Sequence, residues 1–276
     1  MIMDTPHIIV LLHPASFEHL EQITVSAQLT KCIRTITVTG LRIRQPHDLE
    51  AKNWTPNKDI LVRAFKSFPN LESIHVDSFS IFQHKTGQGV LRCGADSIGD
   101  QGCSHSVRVD RSVYDLVLQA LFDADKHLSV AIHLDFPSPD GETPPGLSLS
   151  SAYWRMCSPQ VRSLTFSGYT DTEWHRRLLQ STPSLQHLTF NSCGTLEVTE
   201  LTQNILPGLH SFELDGAFCS ASELMEFLNR QQHSMAEVKM MNVSVSKDIW
   251  SELKELIRNM PKLKASDLSD LGVHSD

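Results

Sequence analysis

Ser158-Pro159-Gln160-Val161-Arg162-Ser163-Leu164-Thr165-Phe166 is followed by Thr182-Pro183-Ser184-Leu185-Gln186-His187-Leu188-Thr189-Phe190. Then comes Leu206-Pro207-Gly208-Leu209-His210-Ser211-Phe212-Glu213-Leu214. The three copies share Pro-x-L-x-x-L-x-F/L, with apolar residues in the capital positions, and their prolines stand 24 residues apart, twice. A fixed period of this length marks a stacked array, in which each unit buries its apolar face only against its neighbours. Looser copies flank the three. Met235-x-x-Val238-x-Met240 lies 26 residues on, and Met260-Pro261-Lys262-Leu263 with Leu268 lies 28 beyond that. Toward the N-terminus, Phe68-Pro69-Asn70-Leu71-Glu72-Ser73-Ile74-His75-Val76 matches well, and Ile33-x-x-Ile36-x-Val38 matches without the proline. Leu128, Val130, Ile132 and Leu134 alternate like one more strand.

Each copy reads as a turn followed by a short strand whose alternate residues face the core. The chain must then travel back, and the intervening segments carry helical periodicity. Thr170-x-x-Glu173 precedes Trp174, Leu178 and Leu179; Ser220-x-x-Glu223 precedes Leu224, Phe227 and Leu228. Both have the form of a capping box. Ser246 is placed to cap a helix carrying Ile249, Trp250, Leu253, Leu256 and Ile257. Asp59 and Asp110 stand ahead of similar faces, Ile60-Leu61-Ala64-Phe65-Phe68 and Val113-Leu116-Val117-Ala120-Leu121. The expected fold class is therefore α/β, a leucine-rich-repeat-like solenoid of short parallel strands alternating with helices on a curved sheet. A doubly wound sheet would need longer strands and a glycine-rich first turn, and neither is present. One irregular repeat domain is expected over 1–276, most regular over 157–268.

Two stretches interrupt the period. Residues 83–109 hold Gly87, Gly89, Gly94, Gly99 and Gly102 and lose apolar periodicity, which predicts a long insertion. Residues 136–149 carry Pro137, Pro139, Pro144 and Pro145 with Gly141 and Gly146, which predicts a surface loop. Such loops often carry recognition; insertion drift on a tolerant scaffold is the plainer account, since added loop length costs little.

The chain has 276 residues, 40% hydrophobic and 20% charged, with a net charge of −8. That is a folded protein without the basic stripe of a nucleic-acid binder. Its six cysteines are scattered with no CxxC pair, which predicts reduced thiols in an intracellular protein, cytoplasmic or nuclear. Ile8–Leu12 is too short to cross a membrane. Thr86-Gly87-Gln88-Gly89 lacks the remainder of a phosphate loop. Cys93, Cys103 and His105 lack a zinc spacing and a fourth ligand. The 14 histidines are dispersed; His187 and His210 read as solvent-facing strand residues. Asp135, Asp140 and Glu142 share a proline-rich stretch rather than the fixed frame that acid–base work needs. No catalytic, cofactor or metal residues are expected.

His13-Pro14-Ala15-Ser16-Phe17-Glu18-His19-Leu20-Glu21-Gln22-Ile23, followed by Leu29-Thr30-Lys31-Cys32-Ile33-Arg34-Thr35-Ile36-Thr37-Val38, resembles the segment after the F-box in fungal F-box proteins. Those proteins continue with degenerate leucine-rich repeats of the Ser181–Cys193 type. The resemblance implies an adaptor, not an enzyme, whose F-box docks the Skp adaptor of a cullin–RING ubiquitin ligase. Only about a dozen residues precede His13, without a Leu-Pro-x-Glu opening. That module is therefore expected to be missing, and Skp–cullin partnership depends on an F-box upstream. The leading expectation is a protein-binding module with an unidentified protein partner, neither nucleic acid nor membrane. Thr165, Thr189, Glu213 and Lys239 would be displayed on the strands. Of the tryptophans, Trp174 and Trp250 read as core, while Trp154 is the recognition candidate, with packing as the weightier reading. The rival class is a small-molecule enzyme on an irregular α/β fold with the glycine-rich insertion as lid. It would need a pocket of convergent polar groups.

Overall fold

The computed structural model describes residues 7–43, 57–77, 90–93, 107–109, 112–136, 146–168, 172–195, 206–268 and 272–274. They form an α/β architecture of parallel strands alternating with helices. The chain divides into two compact units, Met1–His133 with Gly146–Cys157, and Leu134–Pro145 with Ser158–Asp276.

In the first unit the order is β1 (His7–Leu11), α1 (Pro14–Thr24), α2 (Leu29–Cys32), β2 (Thr35–Thr39), β3 (Leu41–Ile43), α3 (Lys58–Ser67) and β4 (Ser73–Asp77). β5 (Val90–Cys93), β6 (Val107–Val109), α4 (Val113–Ala124), β7 (Ser129–Phe136) and α5 (Ala152–Cys157) follow. The parallel strands lie in the order β5-β1-β2-β4-β7, and β3 pairs antiparallel with β6. Register aligns Ile8, Ile36, Ile74 and Val130 in one buried row and Val10, Val38, Val76 and Ile132 in the next. Strand side chains alternate between faces, so these rows form the helix-covered core. β1 is buried on both faces from Ile8 to Leu12, which is why its sequence is a continuous apolar run rather than an alternation.

The second unit contains β8 (Val161–Gly168), α6 (Thr172–Gln180), β9 (His187–Thr195), β10 (Ser211–Phe218), α7 (Ala221–Gln231) and β11 (Glu237–Met241). β12 (Ser244–Ser246), α8 (Lys247–Arg258), β13 (Ala265–Asp267) and β14 (Gly272–His274) complete it. Here the parallel order is β8-β9-β10-β11-β13, with β12 pairing β10 and β14. Leu164, Leu188, Phe212 and Val238 share a register row, as do Phe166, Phe190, Leu214 and Met240, and all are fully buried. Phe166 stacks on Phe190 with centroids 5.0 Å apart, and Phe212 meets Phe227 of α7 at 5.0 Å.

The repeat proline has a definite job. Leu71, Leu185, Leu209 and Leu263 each donate an amide to the carbonyl three residues back, on Phe68, Thr182, Leu206 and Met260. Pro69, Pro183, Pro207 and Pro261 therefore occupy the second position of a β-turn, where the ring presets φ and the missing N–H is not needed. The next residue locks one strand to the last. Gln186 N donates to Arg162 O (2.8 Å), His210 N to Gln186 O (2.8 Å), Ala236 N to His210 O (2.7 Å) and Lys264 N to Ala236 O (2.8 Å). Glu72 N makes the same bond to Arg34 O (2.8 Å) in the first unit.

A second position repeats at the far end of the strand. Gly168 (φ 88°), Gly216 (φ 64°) and Asn242 (φ 52°) follow Ser167, Asp215 and Met241, which occupy one register level. All three are left-handed, a conformation that glycine and asparagine tolerate best. In β10 the register shifts between Asp215 and Ala217, as a bulge requires. Asn242 Nδ2 donates to Asp215 Oδ1 at 2.8 Å, tying one bend to the next.

Several local expectations differ in detail. Thr170 and Asp110 lie outside the described residues. Ser220 stands at the start of α7, but its hydroxyl meets Ser222 Oγ (2.9 Å) instead of a backbone amide. Asn57, not Asp59, caps α3, accepting from Asp59 N at 2.9 Å. Asp59 sits inside the first turn, where it suits the helix dipole. Within 83–109, where lost periodicity predicts a loop, β5 joins the main sheet and β6 pairs with β3. The rest of that stretch, like 137–145, lies outside the described residues.

Two substitutions test the repeat. Phe190→Ala is expected to cost about 3–5 kcal/mol in urea unfolding, because a fully buried ring leaves a cavity. Gly216→Ala is expected to cost about 1–2 kcal/mol, the usual penalty for placing a Cβ in the left-handed region.

Candidate functional site

The same alternation that buries one face displays the other. Thr165, Thr189, Glu213, Lys239 and Asp267 are register partners in a single row across β8, β9, β10, β11 and β13. Ser163, His187, Ser211, Glu237 and Ala265 form the row below. Ser167, Asn191, Asp215 and Met241 form the row above. The four strand residues expected to face a partner are thus brought together, each partly or wholly open to solvent. Lys239 Nζ lies 3.7 Å from Glu213 Oε2. An exposed pair of this kind contributes about 0.2–1 kcal/mol, so both groups can exchange it for a partner's charge at little cost. His187 and His210 are exposed, as outward strand positions should be.

Trp154 is not part of this face. It lies in α5 with no exposed surface, and its backbone N–H donates to Ser151 Oγ at 3.0 Å. Packing, the weightier reading of its sequence, is where the structure places it. Trp174 and Trp250 are also buried, on α6 and α8. Trp54, Cys103, His105, Asp140, Glu142 and the 86–89 glycine segment lie outside the described residues, as do the side chains of Cys93 and Asp135.

The first unit carries a group that dispersal in sequence concealed. On the corresponding face, Thr37, His75 and Ala131 share one register row and Thr39, Asp77 and His133 share the next. His7 Nε2 is 2.6 Å from Thr37 Oγ1, and its ring meets that of His75 edge-on at 6.0 Å. His133 Nδ1 is 3.8 Å from the buried Asp77 carboxylate. The Tyr114 hydroxyl holds this strand by donating to His133 O at 2.6 Å. Loss of surrounding water pushes the His7 pKa down, and the neighbouring His75 adds to it. His75 is lowered by the same loss of water, which Asp77 partly offsets. Neutral rings offer one donor and one acceptor each, so this cluster suits hydrogen bonding at neutral pH. The signal in the sequence was the shared repeat position of Thr37, His75 and Thr165, readable only once the strands are in register.

Among the described residues, no group of three or more His, Cys, Asp or Glu side chains is arranged to hold a metal ion. No described helix is long and apolar enough to cross a membrane. Burial raises the Cys157 thiol to about 11 and the Cys219 thiol to about 12, the latter with help from Glu223; both stay protonated and unreactive near neutral pH. No protein-family model matches the chain, and no curated protein is significantly similar to it.

The histidine shifts set a pH dependence. The folded chain holds fewer protons on His7 and His75 than the unfolded chain, whose histidines titrate near 6.5. Their contribution to stability is therefore full above that value and falls as pH drops toward the lowered folded values. Urea midpoints measured between pH 7.5 and 5 should decline, and His75→Gln should flatten the decline.

Proposed function

We propose that the chain is a protein-binding module whose strands and helices are the rungs of a leucine-rich-repeat-like solenoid. The observation that carries this reading is the register row Thr165-Thr189-Glu213-Lys239-Asp267. Five adjacent strands present polar side chains at the same height, on the side opposite the buried apolar rows Leu164-Leu188-Phe212-Val238 and Phe166-Phe190-Leu214-Met240. A polar array of that kind costs the fold little to vary, and its polar lining differs from the predominantly apolar lining of a small-molecule site. The period of 24 residues supports the solenoid, since neighbouring repeats must supply each other's core.

The resemblance of His13–Ile23 and Leu29–Val38 to the region following the F-box in fungal F-box proteins supports a narrower form of the proposal. In that form the module is the substrate-reading part of a ubiquitin ligase receptor, acting as an adaptor and not as an enzyme. Its partners would then include the Skp adaptor and a cullin.

Co-purification from native extract tests both levels. Recovery of Skp adaptor and cullin supports the receptor role. Other stable partners that are lost with Thr189→Arg, which projects a long side chain from the second strand of the row, support a binding scaffold. Partners that survive Thr189→Arg, or none at all, would overturn the reading; circular dichroism checks that the variant is folded.

A further inference from the structure

Charge is not spread evenly over the second unit's polar face. Over β8 and β9 the outward residues are Ser163, Thr165, Ser167, His187, Thr189 and Asn191, which are hydroxyls, an amide and an imidazole. Over β10, β11 and β13 they include Glu213, Asp215, Glu237 and Asp267 against a single Lys239. Lys239 offsets Glu213 at 3.7 Å. Asp215 accepts from the amide of Asn242, which supplies no counter-charge. Glu237 and Asp267 are exposed, and neither has a cationic partner among the described residues.

Resting on the protein-binding reading above, we propose that this face takes a lysine- or arginine-rich segment of its partner, with the cationic residues seated over β10, β11 and β13. Adjacent strands are about 4.8 Å apart and alternate residues along a strand about 6.6 Å apart. Asp215 and Glu213, Glu213 and Glu237, and Glu237 and Asp267 therefore each fall within about one Debye length at physiological salt, and the potentials of these neighbours add. A segment crossing the strands at the level of Thr189 meets Thr, Thr, an anion, a cation and an anion in turn. Its complement is polar at one end and net cationic at the other. An acidic segment or a phosphate backbone would face four carboxylates with one ammonium to answer it, which like-charge repulsion disfavours. An apolar helix would find no apolar row to fill, because Ala265 and Met241 are the only apolar members of the three rows and stand on different strands at different levels.

The probe is a fluorescein-labelled octalysine peptide, with octaglutamate and a glycine–serine peptide of equal length for comparison. Each is titrated against the full chain at low ionic strength and read by anisotropy. Octalysine is expected to bind, and the other two are not. Glu237→Gln with Asp267→Asn should weaken octalysine by about tenfold, which two charge contacts within the range of surface values supply. Glu252→Gln with Glu255→Gln removes the same charge from exposed positions on α8 and should change binding by less than about twofold. Equal weakening by both pairs would mean that net charge alone attracts the peptide, and the proposal fails. It fails equally if octalysine does not bind or octaglutamate binds as well. Should Thr189→Arg abolish capture of a co-purified partner while the Glu237/Asp267 pair changes neither that capture nor octalysine binding, the face remains the binding surface and the cationic partner is refuted. Capture insensitive to Thr189→Arg refutes the underlying reading instead.

Discussion

The backbone hydrogen bond from the residue just before one strand to the carbonyl of the equivalent residue one repeat earlier is the constraint on which each unit depends. It is made at 34–72 in the first unit and at 162–186, 186–210, 210–236 and 236–264 in the second. Parallel strands admit no tight hairpin, so each must be reached through a crossover long enough to bring the chain back to the starting end of the sheet. A slip of one residue at any of these bonds would turn Leu188 and Phe190 outward and Thr189 inward. The proline turn guards against the slip. It delivers Leu185 and Leu209 to the core two residues before their strands start, which anchors the register of each.

Once register is set, the two faces have separate duties. The core face is uniform: Leu164, Leu188, Phe212 and Val238 in one row, Phe166, Phe190, Leu214 and Met240 in the next. Dispersion and hydrophobic burial there scale with area and require close packing. The display face has no such requirement. Thr165, Thr189, Glu213 and Lys239 occupy equivalent positions with unrelated chemistry, and their exposure keeps the cost of exchanging them within about 0.5 kcal/mol. Binding specificity can be written on such a face without disturbing the stack beneath it.

Much of this is legible in the sequence because it is local. The turn proline, the alternation after it and the apolar face of the following helix all lie within one period, and Leu61, Phe65, Leu178, Leu224, Phe227 and Leu253 are buried as their spacing predicts. What escaped is non-local or depends on which side chain a repeat position happens to carry. The Ile8–Leu12 run reads as a short apolar stretch; only its neighbours β2 and β5 make it a central strand. β5 and β6 form in a glycine-rich stretch without periodicity because pairing partners far along the chain supply their hydrogen bonds. His7, His75, Asp77 and His133 are scattered in sequence and adjacent in the first unit. The left-handed bend is carried by Gly168, Gly216 and Asn242, different residues satisfying one backbone demand, so it surfaces only after the strands are aligned.

The bend also bears on where a partner can sit. β8, β10 and β11 bend at the same height, just after Ser167, Asp215 and Met241, and beyond the bend Ala217 and Val243 are buried. The display face is thus bounded on one side by the bends and on the other by the proline turns, leaving three levels of outward residues. Three levels at about 6.6 Å spacing give a band roughly as wide as one extended polypeptide with its side chains, while five strands give it length. A band of those proportions favours a segment laid across the strands over a globular surface pressed onto them. That orientation carries the segment from the neutral hydroxyls of β8 and β9 to the carboxylates of β10, β11 and β13, so the order of its polar and charged residues would be read along with its composition.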